Sequence, residues 1–342
     1  MKIAIRADGS TAIGMGHIYN SLAIADVLRE KGAEIYFITR DYAAAVQKLQ
    51  ERGYHVEKIA AGLKEKDSFD KTINILDGKD TKFLITDLLV IHHDCSAELR
   101  KRGIKSVSFD ILGNIALQSD IIFNRTTLTK RFSNYKDNGY TQYYLGPKYV
   151  PLAKQYWGLK NKKREIREVK KVLVCLGGGD EFNLTTRVAK ILDSFPVETT
   201  LVLGKAFQGE LELHRAMQEM RSKPIILKDI PNMAEIMLLH DLAVCAGGSV
   251  LYELAITGTP AMIIPMNDHQ VENGEEFQRL GSVISMGMHT DISDGKISEK
   301  LQELITGQEL RRKMSENGKS ITDGKGAERA AKIIYDFVKE NE

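Results

Sequence analysis

The segment Asp8-Gly9-Ser10-Thr11-Ala12-Ile13-Gly14-Met15-Gly16-His17 sets a single imidazole at the end of a glycine-bearing turn. A short apolar run precedes it and an amphipathic stretch follows, so the turn joins a strand to a helix. Open α/β sheets bind ligands at such places, outside the carboxyl ends of their strands. Gly14 and Gly16 let backbone approach a ligand, and the helix start offers N–H donors with a partial positive charge. That charge disfavours an imidazolium, which leaves His17 available as a base near pH 7. A bare structural turn, with His17 packed on the loop, is the other reading of the same residues. The spacing is not Gly-x-Gly-x-x-Gly, because Tyr19 stands at the third position, which argues against a dinucleotide fingerprint.

Two further strand-to-helix turns carry glycines. In Cys175-Leu176-Gly177-Gly178-Gly179-Asp180, followed by Asn183-Leu184-Thr185, Gly177 and Gly178 offer a flat backbone that a sugar or phosphate could approach, with Asn183 and Thr185 as helix caps. In Ala246-Gly247-Gly248-Ser249-Val250-Leu251-Tyr252-Glu253, Gly247, Gly248 and Ser249 give free N–H groups and a hydroxyl for a diphosphate. One turn on, Glu253 could accept both hydroxyls of a ribose, the alternative being a solvated carboxylate beside a cap. Pro265-Met266-Asn267-Asp268-His269-Gln270-Val271-Glu272-Asn273 reads as a polar loop, with His269 and Gln270 placed to touch a sugar. Asp87, which ends the apolar run from Phe83, is the candidate for a polar contact in the first half.

Other chemistries find less support. His92, His93 and Asp94 are adjacent, but neighbouring side chains diverge, and no His-x-x-x-His or Cys-x-x-Cys pairing supports a metal there. No metal or cofactor is therefore expected. Gly-x-Ser-x-Gly and Walker patterns do not occur, which argues against a serine hydrolase or a P-loop NTPase.

The elements that must position these residues alternate. Lys2 to Ala7, Glu34 to Thr39, Phe83 to Asp87, Lys105 to Phe109 and Ile121 to Asn124 read as strands, with helices at Ser21 to Lys31 and Ala43 to Arg52. A polar, aromatic stretch from Lys130 to Gln142 reads as loop. The same grammar restarts at Lys171, and the chain closes with a helix from Ala327 to Glu340. Such alternation predicts parallel sheets covered by helices on both faces. At 342 residues two α/β domains are expected: 1–157, a charge-rich linker at 158–170, 171–326, and a C-terminal helix at 327–342. The 48 Lys plus Arg against 46 Asp plus Glu give a net charge of +2, which supplies no general field for nucleic acid or an acidic membrane, so any anion must be held locally. Arg6 and Asp8 interrupt the first apolar residues, and no stretch has the roughly 18 uncharged apolar residues of a membrane span. A cytoplasmic protein is expected, with Cys95, Cys175 and Cys245 as reduced thiols in or near the core. Oligomeric state is not legible.

At Arg6-Ala7-Asp8, Gly14-Met15-Gly16-His17, Asp87, Leu145-Gly146-Pro147-Lys148-Tyr149, Leu176-Gly177-Gly178-Gly179-Asp180, Ala246-Gly247-Gly248-Ser249, Glu253-Leu254 and Gly258-Thr259-Pro260, the chain resembles the nucleotide-sugar hydrolases of the pseudaminic acid pathway. These release UDP from UDP-2,4-diacetamido-2,4,6-trideoxy-β-L-altropyranose. It is similar, more distantly, to the MurG-type glycosyltransferases. The resemblance implies a GT-B-like fold, two Rossmann-like α/β domains with a cleft between them, and a UDP-sugar as substrate. It also implies that His17 activates water for inverting attack on the anomeric carbon. Uracil would meet backbone near Ile230, ribose Glu253, and diphosphate Gly247 to Ser249. Two positions depart from that family: Asn20 stands where it carries an arginine, and His269 where it carries an active-site asparagine. A glycosyltransferase using the same donor, or a nucleotide-sugar binding protein without catalysis, are the alternatives.

Overall fold

Parallel strands buried on both faces read as continuous apolar runs, and the two longest such series in this chain each close into one sheet. The computed structural model describes residues 1–10, 13–90, 93–204, 207–228 and 230–342. It divides into two units, one of Met1–Lys154 with Lys325–Glu342 and one of Gln155–Gly324.

The first unit holds β1 (Lys2–Ala7), α1 (Gly16–Glu30), β2 (Glu34–Arg40), α2 (Ala43–Glu51), β3 (His55–Ile59), α3 (Glu65–Gly78), β4 (Phe83–Asp87), α4 (His93–Lys101), β5 (Lys105–Phe109), β6 (Ile121–Asn124) and β7 (Gln142–Leu145). The strand order is β3-β2-β1-β4-β5-β6-β7, parallel throughout. Ala4, Ile38, Leu84 and Ile122 pack with Phe69, Ile73 and Leu99 of the covering helices into one core. Helix α1 begins at Gly16 rather than at Ser21, because His17, Ile18 and Asn20 are already buried against the sheet. The stretch read as loop from Lys130 contains a 3-10 turn at Thr129–Asn134 and runs into β7.

The second unit holds β8 (Lys171–Cys175), α5 (Leu184–Leu192), β9 (Glu198–Leu203), α6 (Glu210–Glu219), β10 (Ile225–Lys228), α7 (Met233–Leu239), β11 (Leu242–Cys245), α8 (Val250–Thr257), β12 (Ala261–Ile263), α9 (Asp268–Arg279), β13 (Val283–Ser285), α10 (Asp294–Thr306) and α11 (Gln308–Ile321). Its order is β10-β9-β8-β11-β12-β13, again parallel. Within the charge-rich stretch after Trp157, Arg164 turns inward, its Nη1 donating to the Met237 carbonyl at 3.2 Å and to Thr259 Oγ1 at 3.0 Å. The last helix, α12 (Gly326–Asn341), returns to the first unit and packs on α1. No helix among the described residues is long and apolar enough to cross a membrane.

The first unit contains a closed ionic cluster. Arg6 grips Asp8 through both guanidinium ends and donates to Ser68 Oγ at 3.0 Å. Asp8 Oδ1 also accepts the Arg40 backbone N–H at 2.8 Å, while the Arg40 side chain reaches Glu65 at 2.9 Å. Asp8 is buried with Arg6 and Arg40, and because Arg40 keeps Glu65, deleting the Asp8 carboxylate leaves Arg6 as the buried cation without its anion. Breaking a buried pair from one side costs roughly 3–5 kcal/mol. Asp8→Ala is therefore expected to lower the urea midpoint of the first unit, followed by circular dichroism; a wild-type midpoint would mean that Arg6 finds another partner.

Candidate functional site

The first unit's sheet reverses its winding between β1 and β4, and the crevice outside the carboxyl ends of those strands is where such sheets hold ligands. From β1 the chain passes through the loop to Gly14, whose φ of +74° only glycine adopts without strain, and enters α1 at Gly16. His17 lies in the first turn and is 7% exposed. Its Nδ1 is 2.7 Å from Oδ1 of Asp87, the last residue of β4. Asp87 is 0% exposed, and Arg125 Nη1, just past β6, lies 3.3 Å from each of its oxygens. Burial alone would push the Asp87 carboxyl up; the charges of Arg125 and His17, and the hydrogen bonds from both, reverse that and hold it below the usual carboxylate range. An ionised carboxylate only accepts, so His17 Nδ1 is the donor, and when the ring is neutral its Nε2 carries the lone pair. The arrangement can hold an imidazole in one tautomer and take up a proton at Nε2.

Asp8, directly after the neighbouring strand β1, differs. Its oxygens are turned to Arg6, Arg40 and Thr39, so among the described residues it belongs to the ionic cluster.

The second unit repeats the switch point between β8 and β11. Gly177 and Gly178 follow β8, Gly247, Gly248 and Ser249 follow β11, and Ile230 follows β10, all on the carboxyl edge of one sheet. A Cβ on Gly247 would stand 2.5 Å from the Gln270 carbonyl oxygen, so this loop lies flat against the first turn of α9 because it lacks a side chain. Gln270 Oε1 accepts the backbone N–H of Met266 at 2.9 Å and of Gly247 at 3.4 Å, and Asn273 Nδ2 reaches the Gly247 carbonyl at 3.4 Å. Gly248, Ser249 and Val250 stay partly exposed at the start of α8, where helical N–H groups have no helical acceptor. Glu253 is partly buried one turn on, and desolvation pushes its carboxyl up to about 7, opposed by the Tyr156 hydroxyl beside it. That hydroxyl is buried and, among the described residues, makes no hydrogen bond of standard geometry.

Two local expectations change. His269 and Gln270 are not in a loop: Asn267 accepts the Gln270 N–H at 3.0 Å and starts α9, so both lie in its first turn. The cap of α5 is Asp180, whose oxygens accept Leu184 N–H at 2.9 Å and Thr185 N–H at 2.7 Å, whereas Asn183 sits at φ +51° without capping. Sequence reasoning missed Arg125 and Tyr156. The signal for Arg125 was a cation placed directly after a buried strand. His92, weighed as a metal ligand, lies outside the described residues, as do Thr11 and Ala12 of the first loop; of His93 only the backbone is described. No cluster of three His, Cys, Asp or Glu side chains suited to a metal occurs among the described residues.

Residues 172–332 match the model of the glycosyltransferase family 28 C-terminal domain. The uncharacterized protein MJ1062 of Methanocaldococcus jannaschii is 30% identical over 342 residues, covering 94% of this chain and 69% of that one. The spore coat polysaccharide biosynthesis protein SpsG of Bacillus subtilis is 24% identical, covering 98% of each. Among solved structures, MurG of Acinetobacter baumannii superposes with a TM-score of 0.69 at 12% identity, covering 97% of this chain and 99% of that one, so the two α/β units are those of the GT-B fold. The chain thus belongs to one family with MJ1062, in the SpsG-like group of GT-B proteins whose second half is a glycosyltransferase family 28 C-terminal domain.

Proposed function

We propose that the protein is a UDP-sugar hydrolase that frees a diacetamido-trideoxy sugar for nonulosonic (pseudaminic) acid or surface polysaccharide synthesis. The observation that carries this is the 2.7 Å hydrogen bond from His17 Nδ1 to buried Asp87 at the switch point, which leaves Nε2 as a base beside a glycine loop. His17 Nε2 takes a proton from water as its oxygen bonds to the anomeric carbon. The bond from that carbon to the UDP oxygen breaks, UDP leaves with the electron pair, and the configuration inverts. In the second unit, Gly247, Gly248 and Ser249 would stabilise the diphosphate through backbone N–H groups, with Gly177 and Gly178 across the same switch point. Glu253 would accept the ribose hydroxyls, backbone near Ile230 the uracil, and His269 with Gln270 would face the sugar. No cofactor enters these steps. The similarity to SpsG, a spore coat polysaccharide biosynthesis protein, supports the setting.

A second reading has its own support. The match to a glycosyltransferase domain favours an acceptor hydroxyl in place of water at the same base. Incubation with UDP-activated diacetamido sugars, without acceptor, separates the two: hydrolysis releases UDP at once, and strict dependence on an added acceptor sinks the hydrolase reading. UDP binding without turnover over a panel of donors would instead leave a binding protein.

His17→Ala is expected to lower kcat by roughly 10²–10⁴-fold, the range of a general base, while UDP affinity by calorimetry stays near wild type. Undiminished turnover in that variant removes the catalytic role. Glu253 gives a pH dependence with a definite sign. Its carboxyl, raised to about 7, is ionised above that pH and accepts both ribose hydroxyls, and loses that capacity as pH falls through 7. UDP affinity is expected to drop about tenfold more between pH 8 and pH 6 in the wild type than in Glu253→Gln, which shares the ligand's own phosphate titration. Parallel pH profiles for the two proteins would show that Glu253 does not bind the nucleotide as an anion.

A further inference from the structure

Among the described residues the buried Asp87 carboxylate has two donors, and the reaction above uses one of them. Arg125 follows β6, and β5 stands between β6 and β4 in the sheet. Neighbouring strands are about 4.8 Å apart, so the side chain must cross two such spacings to reach Asp87. It does so over the end of β5: its Cζ is 5.8 Å from the centre of the Phe109 ring, and its Nη1 is 3.3 Å from both Asp87 oxygens. Phe109 stacks on Phe123 with centroids 4.9 Å apart, which gives the guanidinium an apolar floor. Arg125 is itself 6% exposed.

The charge balance follows from this geometry. An unshared buried carboxylate 2.7 Å from an imidazole favours the imidazolium, which has no lone pair with which to accept a proton. A guanidinium on the same carboxylate is always charged and cancels it. The trio of Arg125, Asp87 and neutral His17 then carries no net charge, and protonating the ring places an uncompensated cation in a desolvated site. Among the described residues, His17 pairs with Asp87 from β4, and Asp87 with Arg125 from the segment after β6. On the side of β1 and β2, Arg6, Asp8, Arg40 and Glu65 close ion pairs among themselves, and the first turn of α1 carries no acidic residue.

We infer that Arg125 is a positioning residue that anchors Asp87 and keeps His17 as the neutral Nδ1–H tautomer, ready to accept a proton at Nε2. This deepens the proposed function and rests on its reading of His17 as the base.

The test needs no substrate. In full-length protein labelled with ¹³C,¹⁵N-histidine, the His17 ring signal is assigned by its loss in His17→Ala and titrated by NMR. Arg125→Met is expected to raise the His17 midpoint by about one pH unit or more, the scale on which one neighbouring charge acts. Arg125→Lys keeps the charge and should return the midpoint most of the way. Should the Met variant fail to fold by circular dichroism, Arg125→Gln replaces it in the same comparison. A folded Met or Gln variant whose His17 titrates as in the wild type overturns the inference, as does a Lys variant that shifts as far as either. Absence of hydrolysis would leave this titration intact, and an unshifted midpoint would leave His17 a candidate base, so the two failures are distinguishable.

Discussion

An ionised carboxylate with no exposure to water must be compensated by charge and hydrogen bonds where it stands, and Asp87 is such a group. It ends β4, so its partners must come from the neighbouring carboxyl-edge segments: His17 from the turn after β1, and Arg125 from beyond β6. This requirement ties α1, β4 and the post-β6 segment to one point, and that point is the crevice which the strand order opens between β1 and β4. The fold and the chemistry therefore share one constraint. The comparison with Asp8 makes the distinction physical. Both carboxylates are buried at the ends of adjacent strands, yet Asp8 is met by two arginines, whereas Asp87 is met by one arginine and one histidine. Arginine stays protonated in proteins, so the Asp8 cluster has no proton to exchange near neutrality. The Asp87 cluster holds an imidazole that can.

The sequence made the buried half of the fold legible. β4, β5 and β6 run over the residues expected of them, since strands covered on both faces consist of apolar residues and little else. β3 and α3 went unread for the converse reason. β3 is an edge strand, His-Val-Glu-Lys-Ile, with polar groups in solvent, and α3 carries Glu65, Lys66, Asp67, Asp70 and Lys71 around a narrow apolar stripe. The glycine turns, His17 and Asp87 were each visible as types and spacings. Their pairing was not, because 70 residues separate His17 from Asp87 and 38 separate Asp87 from Arg125, and only the strand order brings them together. The resemblance to the UDP-sugar hydrolases supplied roles for the second unit that periodicity could not. Near positions misled where two residues compete for one task. Asn183 is a good cap by type, but Asp180, three residues earlier, reaches two N–H groups at once.

The two sheets repeat one plan with different endings. In the first, Ala7 of β1 is registered with Asp87 of β4; in the second, Cys175 of β8 is registered with Cys245 of β11. The corresponding place thus holds a carboxylate in one unit and a pair of thiols in the other. Burial raises the Cys175 thiol to about 11 and the Cys245 thiol well above its ordinary value, so both stay neutral near pH 7. Neutral thiols at the strand ends suit an anion held by backbone N–H groups, because they place no negative charge beneath it. The first switch point gathers an imidazole, a carboxylate and a guanidinium, whereas at the second β8 and β11 end in two neutral thiols.

Glu253 then needs its own account, since an acid in the first turn of α8 lies near any diphosphate at Gly247 to Ser249. Its carboxyl is raised by desolvation, with the Tyr156 hydroxyl opposing the shift, so near neutrality it is only partly ionised. A bound diphosphate would raise it further by repulsion, whereas ribose hydroxyls donating to it would favour the anion. The two halves of one nucleotide therefore act on this carboxyl in opposite senses, and the ribose must outweigh the phosphate for the anion to persist. That balance asks more of a nucleotide than of inorganic phosphate: a ligand with phosphate alone meets the repulsion without the compensating hydroxyls. In the role proposed for it, Glu253 would thus favour nucleotides over free phosphate on charge grounds, before any contact with the base is counted.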